Sequence, residues 1–318
     1  MSRTSNLSTV ALSLLLAACG KDEEPVVAAI DTPAPAEGKV TLAGGLTPVA
    51  STSTAPVATG VTSFSEAEVA YREGKIEEAR DFFAGYVAIK PDNPWGHYML
   101  GLTHWRKGEF AAAAKAFDRS IALDSLNAKA FFNSGRALLG LGRPHEAFER
   151  VEQGLLLDST SADGLRLLAR AHAALDNVDG ALETYRRALV LDEDDVWTLN
   201  NLGMLFLEKG NSEASLGPLA RAVTLRPASP IFQNNLGVAL ERTGHPVTAK
   251  RAFEEAVRVD SSYAKARGNL ERLSRVVTDS TPAEKIVIVD LAEVFRLKIG
   301  MWRDGYPRPA VDSLPPDR

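Results

Sequence analysis

Apolar residues recur along the middle of the chain at the three- and four-residue spacing that is typical of amphipathic helices. The pattern returns every 34 residues without insertion or deletion, and a frame of that length holds two short helices and their turns. Because the frame persists through six copies, we predict an all-α protein built of six helix pairs. The copies are residues 60–93, 94–127, 128–161, 162–195, 196–229 and 230–263.

Three positions of the frame predict how the two helices of each copy pack. Position 8 of the first helix is small, and its residues are Ala67, Gly101, Gly135, Ala169, Gly203 and Gly237. Position 20 of the second helix is also small, with Ala79, Ala113, Ala147, Ala181, Ser215 and Ala249. Position 24 is larger, with Phe83, Phe117, Val151, Tyr185, Leu219 and Phe253. Small residues let the two helices approach closely, and the larger residue fills the space beside them.

These motifs resemble the tetratricopeptide repeat, whose pattern is Trp-x₂-Leu-Gly-x₂-Tyr, then Ala-x₃-Phe, then Pro. The Leu-Gly pair is matched by Leu100-Gly101, Leu202-Gly203 and Leu236-Gly237. The Ala-x₃-aromatic part is matched by Ala79 with Phe83, Ala113 with Phe117, Ala181 with Tyr185 and Ala249 with Phe253. The resemblance implies a right-handed α-solenoid over residues 60–276, in which residues 264–276 form a capping helix. Gly217-Pro218 departs from the pattern inside a second helix, where we expect a bend.

Residues 277–318 form a separate C-terminal segment. Thr281-Pro-Ala-Glu284 is a capping box with proline at the first helical position, and it predicts an amphipathic helix over residues 282–299. The β-branched run at 286–289 leaves a strand as the alternative. We expect residues 301–318 to be a mobile tail. The helix either packs on the solenoid or binds a partner. Its apolar face consists of Ile288, Leu291, Ala292, Phe295 and Ile299.

The N-terminus has the layout of a secretory signal, with a basic residue, a short apolar run and small residues before a cleavage site. The boundary Leu16-Ala17-Ala18-Cys19 resembles the lipobox of bacterial lipoproteins. That resemblance implies a signal peptide over residues 1–18 and a lipidated Cys19, with palmitate among the expected acyl chains. Gly20 follows the cysteine instead of Asp, which by the same resemblance favours the outer membrane. The alternative is an ordinary signal peptide that happens to precede a cysteine.

Residues 19–59 are predicted to be a disordered tether between the lipid and the repeats. They are rich in Pro, Ala and Thr, show neither helical nor strand periodicity, and lack large aromatic side chains. Such a segment cannot bury enough apolar surface to fold. The folded part of the chain is therefore expected to be held near a membrane with room to move.

Charge and composition exclude several classes of function. The 318 residues carry 36 Lys and Arg against 41 Asp and Glu, so a nucleic-acid partner is not expected. A single cysteine excludes an intramolecular disulfide and a Cys₄ zinc site. We find no catalytic, phosphate-binding or metal-binding motif. The sequence therefore predicts a protein that is not an enzyme and uses no cofactor, metal or small-molecule substrate.

A solenoid of this family offers a concave groove lined by its first helices. In the family, positions 2, 5, 9, 12 and 13 and the asparagine-prone position 6 face the ligand. An amide donates and accepts at once, so a row of asparagines can bind the backbone of an extended peptide. Alternatively, the asparagines bond only within their own array. The candidates are Asn133, Asn200, Asn201, Asn234, Asn235 and Asn269.

Two further sets of groove residues are candidates for partner binding. Exposed aromatic residues are typical of binding hot spots, and the first three copies offer Phe64, Tyr71, Trp95, Tyr98, Trp105 and Phe132. Copies three and four offer Arg136, Arg166 and Arg170, whose spacing suits an acidic partner or a carboxylate. The alternatives are that the aromatics pack against the tether or the C-terminal helix, and that the arginines pair with local acids.

The resemblances together imply a lipid-anchored scaffold on the periplasmic side of a bacterial envelope. We expect it to bind a protein or an extended peptide in the groove. Lipoproteins of this build are similar to pilotins that help secretin rings assemble, to partners of the outer-membrane barrel assembly machine, and to adaptors for cell-wall hydrolases. The expectation is assembly of an envelope complex of the pilus and secretin type. The alternative is an adaptor subunit that recruits a cell-wall hydrolase or another envelope enzyme.

Overall fold

The structure is a computed structural model that describes residues 63–277 and 285–305. Fourteen helices make up the regular structure of these two ranges, which contain no strand. The helices are α1 (Phe64–Arg72), α2 (Ile76–Ile89), α3 (Pro94–Arg106), α4 (Phe110–Leu123), α5 (Ala128–Gly140), α6 (Pro144–Leu157), α7 (Ala162–Ala174), α8 (Val178–Leu191), α9 (Val196–Glu208), α10 (Ser212–Leu225), α11 (Pro230–Arg242), α12 (Pro246–Val259), α13 (Ala264–Ser274) and α14 (Ile288–Gly305).

The first twelve helices form the six predicted pairs, and α13 follows them at the predicted position of the cap. A polar residue at the last position of each of the first five copies caps the first helix of the next copy. Its side chain accepts a hydrogen bond from a backbone N–H in the first turn, which satisfies one of the free donors there. The five caps are Asn93, Asn127, Ser161, Asp195 and Ser229.

The close packing predicted from positions 8 and 24 is confirmed. A Cβ atom built on Gly203 would lie 2.4 Å from Cγ of Leu219, and one built on Gly237 would lie 2.5 Å from Cε1 of Phe253. Neither distance is compatible with a larger residue at these glycines unless the facing side chain or its helix moves away. The repeated small and large residues therefore fix the separation of the two helices in each pair.

The turn at position 15 contains glycine in five copies, with φ between 68° and 84° in all of them. Copy four has Asp176 at this position, and it adopts the same left-handed backbone with φ of 60°. Aspartate tolerates this conformation better than most residues because its short side chain can bond locally. The Asp176 carboxylate also lies 2.5 Å from Nζ of Lys209 in the next copy.

The first helices lie on the inner side of the solenoid. Consecutive first helices contact one another from α3 through α5, α7, α9 and α11 to α13. The second helices make no comparable contacts with each other within the described ranges. Elements that are closer together lie on the inside of a curve, so the concave surface is formed by the odd-numbered helices α3 to α13.

The C-terminal helix differs from its prediction at both ends. It begins at Ile288, because residues 285–287 are not helical, and it continues past Gly300 to Gly305. The predicted apolar face is largely confirmed, since Ala292, Phe295 and Ile299 are all buried. Helix α14 packs on α10 and α8, two second helices, and therefore lies on the outer side of the solenoid.

The bend expected at Gly217-Pro218 stays a prediction, and the structure shows a further role of this pair in packing. Helix α10 continues through both residues, and a Cβ on Gly217 would meet Cδ2 of Phe295 at 2.9 Å. The glycine therefore provides the site on α10 where Phe295 of α14 sits. Two more contacts hold α14: Arg186 lies over the Trp302 ring at 5.5 Å, and Arg303 pairs with Glu193 at 2.8 Å.

Several predictions fall outside the described residues. They include the signal peptide, Cys19, the tether, the capping box at 281–284 and the tail beyond 305. Within residues 63–277 and 285–305, no helix combines the length and apolar character needed to cross a bilayer.

Candidate functional site

Three groups of side chains follow one another along the inner surface of the solenoid. We call Trp95, Tyr98 and Trp105 of α3 the aromatic wall. The second group, the arginine–aspartate cluster, comprises Arg136, Asp163, Arg166 and Asp195. The third group, the asparagine relay, comprises Asn201, Asn200, Asn235, Asn234 and Asn269.

In the aromatic wall, the indole of Trp95 is exposed to solvent and packs on the buried ring of Tyr98. Trp95 stacks on Tyr98 with ring centroids 4.9 Å apart and an interplanar angle of 15°. Trp95 is 40% exposed, whereas Tyr98 is only 5% exposed. Burial raises the pKa of Tyr98 to about 12, so its hydroxyl stays neutral and accepts a hydrogen bond from Asn133 Nδ2 at 3.0 Å. The indole of Trp105 faces the guanidinium of Arg136 at 5.7 Å.

The predicted exposure of the other aromatic residues is partly wrong. Tyr71 and Phe132 are buried, as Tyr98 is, because each fills space between helices. Phe132 occupies the gap left by Gly154 and Gly164, and Tyr71 lies 4.0 Å from the guanidinium of Arg106. These residues therefore stabilise the repeats, and Trp95 and Trp105 remain the candidates for contact with a partner.

The arginine–aspartate cluster joins three consecutive first helices. Arg136 of α5 donates from Nη2 to both carboxylate oxygens of Asp163, at 2.9 Å and 2.8 Å. Arg166 bridges Asp163 and Asp195, donating to the latter from Nη1 at 2.5 Å. Thr198 donates to the same Asp195 oxygen at 2.6 Å. Both carboxylates therefore accept several hydrogen bonds from within the protein.

Electrostatic pairing controls the ionisation of this cluster. Burial disfavours the charged form of Asp163, but the guanidinium groups of Arg136 and Arg166 outweigh it and lower the pKa of the carboxyl. Burial likewise opposes the charge on Arg166, and Asp163 and Asp195 outweigh it and raise the pKa of the guanidinium. Arg136 and Arg166 therefore pair with local acids, which is the alternative given for them in the sequence analysis. The sequence reasoning did not single out Asp163 as a partner.

Arg170 is the exception among the three predicted arginines. It occupies position 9 of α7 and is half-buried, yet among the described residues it makes no hydrogen bond or ion pair. Burial lowers the pKa of Arg170 to about 10, and the positive charges of Arg136 and Arg166 act in the same direction. The side chain remains charged at neutral pH, and its guanidinium donors have no acceptor within the described protein.

The asparagine relay is a directional chain of side-chain hydrogen bonds across three helices. Each amide nitrogen donates to the next amide oxygen, in the order Asn269, Asn234, Asn235, Asn200 and Asn201. The bonds between helices are short, at 2.9 Å and 2.8 Å, and the bonds between adjacent residues are long, at 3.4 Å and 3.5 Å. These asparagines therefore bond with one another, as the alternative interpretation of the array predicts.

The relay ends at an unsatisfied donor. The side-chain nitrogen of Asn201 is enclosed and finds no acceptor among the described residues. Copy four has Leu167, not asparagine, at the same position, and Leu167 is fully buried. Asn133 lies outside the relay, since it bonds Tyr98, the carbonyl of Lys129 and Arg136 instead. The peptide-binding role of the six asparagines stays a prediction.

The described ranges contain no group of three or more His, Cys, Asp or Glu side chains arranged to hold a metal ion. The inner surface instead offers an exposed indole, a half-buried guanidinium and an amide chain whose last donor has no acceptor. These groups suit recognition of another chain through hydrogen bonds and an ion pair.

Sequence comparison agrees with this architecture. A profile described as "Tetratricopeptide repeat" matches residues 98–158 and 200–264, and one described as "TPR repeat" matches residues 169–210. The chain therefore carries tetratricopeptide repeats, and its described repeats form an α-solenoid of that type. Such solenoids are protein-interaction scaffolds that bind through an extended concave surface. No curated protein matches the chain significantly.

Solved structures show the same fold at low sequence identity. The APC/C hetero-tetramer Cut9–Hcn1 matches with a TM-score of 0.59 and 17% identity, covering 66% of this chain. This chain spans only 42% of that one. A tetratricopeptide repeat protein from Parabacteroides merdae also gives 0.59, with 13% identity and coverage of 66% of this chain and 82% of the other. The thermophilic TPR protein TTC0263 of Thermus thermophilus gives 0.52, with 18% identity over 57% and 98% of the two chains.

Proposed function

We propose that this protein is a lipid-anchored scaffold that holds an extended segment of another protein in its concave groove. The observation that carries the proposal is the polar lining of the first helices, in which Asn201 Nδ2 has no acceptor and Arg170 makes no hydrogen bond or ion pair among the described residues. Buried polar groups in proteins are nearly always paired, so a groove that contains unpaired donors is suited to an acceptor from outside.

The asparagine relay supplies the chemistry for a peptide backbone. An enclosed amide without a partner costs roughly 1–3 kcal/mol, and a peptide carbonyl that meets the Asn201 amide once its side chain turns toward the groove would remove that cost. The bond would also complete the relay, because each amide in such a chain polarises the next. Backbone recognition of this kind is independent of the partner's side chains, which leaves specificity to Trp95, Trp105 and the arginines.

The proposed place of action rests on the N-terminal sequence. The apolar run before Cys19, the lipobox and Gly20 support attachment to the outer membrane facing the periplasm. A tether of about 40 residues has a root-mean-square reach of roughly 35 Å, enough for the groove to meet a partner near the membrane. We propose assembly of an envelope complex of the pilus and secretin type as the process served.

Site-specific photocrosslinking in the native envelope tests this function. A benzophenone amino acid replaces Met204, which occupies position 9 of α9 on the inner surface, and the control replaces Lys115, an exposed residue of α4. We expect a discrete crosslinked partner from Met204 and none from Lys115. Mass spectrometry then names the partner as a secretin, a barrel-assembly component or a cell-wall hydrolase. Identical patterns from both positions would refute binding in the groove.

A further inference from the structure

The boundary between copies four and five is packed differently from the other boundaries of the solenoid. Elsewhere the second helix of one copy lies close to the first helix of the next, whereas α8 and α9 approach each other least. On the inner side the two copies are tied, because Arg166 of α7 pairs with Asp195, which caps α9. These two side chains are only 7% and 10% exposed. The boundary is therefore fixed on its concave side and loose on its convex side.

The other ion pairs across this boundary are exposed. Lys209 pairs with Asp176, and Arg221 pairs with Asp194. The side chains of the two acids are 83% and 56% exposed. Solvent screens such pairs, and they contribute little to stability. They therefore do little to fix the angle between copies four and five.

Helix α14 spans the loose side of this boundary. It packs on α10 of copy five and on α8 of copy four, and no other helix of the described ranges packs on second helices of two copies. Phe295 lies against Gly217 of α10, and Arg186 of α8 lies over the ring of Trp302 at 5.5 Å. The helix therefore connects two second helices that make no comparable contact with each other.

The sequence provides a site for this helix in copy five alone. Position 22 of the frame is charged and exposed in the other five copies, where its residues are Asp81, Lys115, Glu149, Glu183 and Arg251. Copy five has Gly217 at this position. A Cβ atom there would lie 2.9 Å from Cδ2 of Phe295, so a larger side chain would displace the ring. The departure from the repeat pattern thus coincides with the contact that holds α14.

We propose that the boundary between copies four and five is a hinge of the solenoid, and that α14 is the brace that holds it at one angle through Phe295 and Gly217. The pair of Arg166 and Asp195 is the pivot, because it keeps the concave side tied while the convex side opens. A few residues at the ends of helices are enough to absorb such a motion.

The hinge lies directly behind part of the concave groove. Opening it changes the angle between α7 and α9, the first helices that carry Arg170 and Asn201. A brace on the convex face therefore controls the shape of the groove on the concave face. The inference does not require that a partner is bound.

Distances between nitroxide labels, measured by double electron–electron resonance on the full-length protein in detergent, test the hinge. Cys19→Ala removes the only native thiol, so the labels attach only to introduced cysteines. The first label pair, Glu149→Cys with Glu254→Cys, joins copies three and six across the hinge. The matched pair, Ala84→Cys with Arg187→Cys, joins copies one and four and spans as many boundaries without crossing the hinge. All four positions are exposed.

Two variants release the brace from the two sides of its contact. Phe295→Ala removes the ring, and Gly217→Leu fills its site with a residue that favours the helical state of α10. The control is Leu297→Ala, on the exposed face of α14. Hydrogen exchange of the α14 amides reports the release, and circular dichroism reports the helix content.

We expect the distance distribution across the hinge to become about twice as wide in both release variants, because the convex side is then free to open. The distribution of the matched pair should stay unchanged in every variant. Leu297→Ala should leave both distributions as they are in the parent protein.

Four results would overturn the inference. Release of α14 with an unchanged distribution across the hinge would show that the boundary is rigid by itself. Equal broadening of both label pairs would mean that α14 stabilises the whole solenoid. Unchanged protection of the α14 amides in both variants would show that Phe295 and Gly217 do not hold the helix. Loss of helix content in both would make α14 part of the fold and not a brace.

The hinge and the proposed function can fail independently. The label distances are measured without a partner, so they do not depend on whether the groove binds a peptide. Crosslinking from Met204 in turn reports binding in the groove whether or not the boundary moves.

Discussion

The side-chain nitrogen of Asn235 lies 2.8 Å from the side-chain oxygen of Asn200, and this hydrogen bond joins the first helices of two consecutive repeats. Asn200 is 5% exposed, so the bond is sheltered from water and both partners depend on it. The same residues that were candidates for ligand binding are therefore part of the contact between repeats. The asparagine relay therefore contributes to stability and is also the candidate for ligand binding. Substitutions at its individual residues can separate the two roles.

The two ends of the relay should respond differently to alanine. Asn200→Ala leaves the amide of Asn235 without its acceptor, and we expect unfolding to become easier by about 1–3 kcal/mol. Asn201→Ala removes an enclosed donor that has no partner, and it also removes the acceptor of one long bond from Asn200. The gain from the first change should offset the loss from the second, so the net change in stability should be less than about 0.5 kcal/mol. Urea denaturation followed by circular dichroism measures both. Equal losses from the two variants would contradict the order of the relay.

The Asp163 carboxylate should account for part of the acid sensitivity of the fold. Its pKa lies below the ordinary value of 3.8, because although burial raises it, Arg136 and Arg166 lower it further. The stability it contributes is present above that ordinary value and is lost as the pH falls through the depressed one. We expect Asp163→Asn to cost about 1–2 kcal/mol at neutral pH, since Arg136 loses its acid while Arg166 keeps Asp195, and solvent screens the partly exposed Asp163 carboxylate.

Thermal unfolding between pH 7 and pH 2 checks this dependence. The gap in melting temperature between wild type and Asp163→Asn should narrow as the pH drops below 3.8. Glu254→Gln, on an exposed residue of α12, is the control and should run parallel to wild type. A constant gap over the whole range would show that titration of Asp163 does not contribute.

Removing the unpaired charge of Arg170 should stabilise the solenoid. Arg170→Met keeps most of the side chain's volume and removes a half-buried cation that lacks an internal partner. We expect a gain of about 1 kcal/mol, and hence a melting temperature higher by a few degrees. Differential scanning calorimetry measures it. A large loss of stability would mean that Arg170 has a structural role instead of being held ready for a ligand.

The packing of α14 on α10 should depend on the ring of Phe295. Phe295 is 6% exposed and lies against Gly217, whereas Leu297 of the same helix is 56% exposed. Phe295→Ala should release α14 from α10, with a loss of about 3–5 kcal/mol in local stability, and Leu297→Ala should not. Hydrogen exchange of the α14 amides reports the difference. Unchanged protection in Phe295→Ala would show that other contacts suffice.

The proposed lipid anchor depends on the single thiol of the chain, Cys19. Cys19→Ala should leave a precursor that is neither acylated nor processed, because the lipidated group is missing. Metabolic labelling with a palmitate analogue and the size of the mature chain measure both effects. Labelling of the variant at the wild-type level would exclude a lipoprotein anchor at this residue.

Sequence by itself determined the repeat architecture, because the contacts within each helix pair are local. The small residue at Gly203 and the large residue at Leu219 are sixteen positions apart in every copy, so a fixed spacing reports the packing directly. The same holds for the turns, where glycine recurs at one position. Periodicity reveals any contact whose partners keep a constant separation along the chain.

Tertiary structure alone decided which polar groups of the groove are free. Asp163 neutralises Arg136 from another repeat, and Asn235 bonds Asn200, so neither pairing follows from the spacing within one copy. Arg136 and Arg170 occupy the same repeat position, yet one is paired and the other is open. The site of α14 on Gly217 is a further long-range contact. The bond from Asn235 to Asn200 recurs one repeat later as the bond from Asn269 to Asn234. The pairing of Arg136 with Asp163 and the contact of α14 with Gly217 each occur once, and a contact that is not repeated leaves no periodic signal in the sequence.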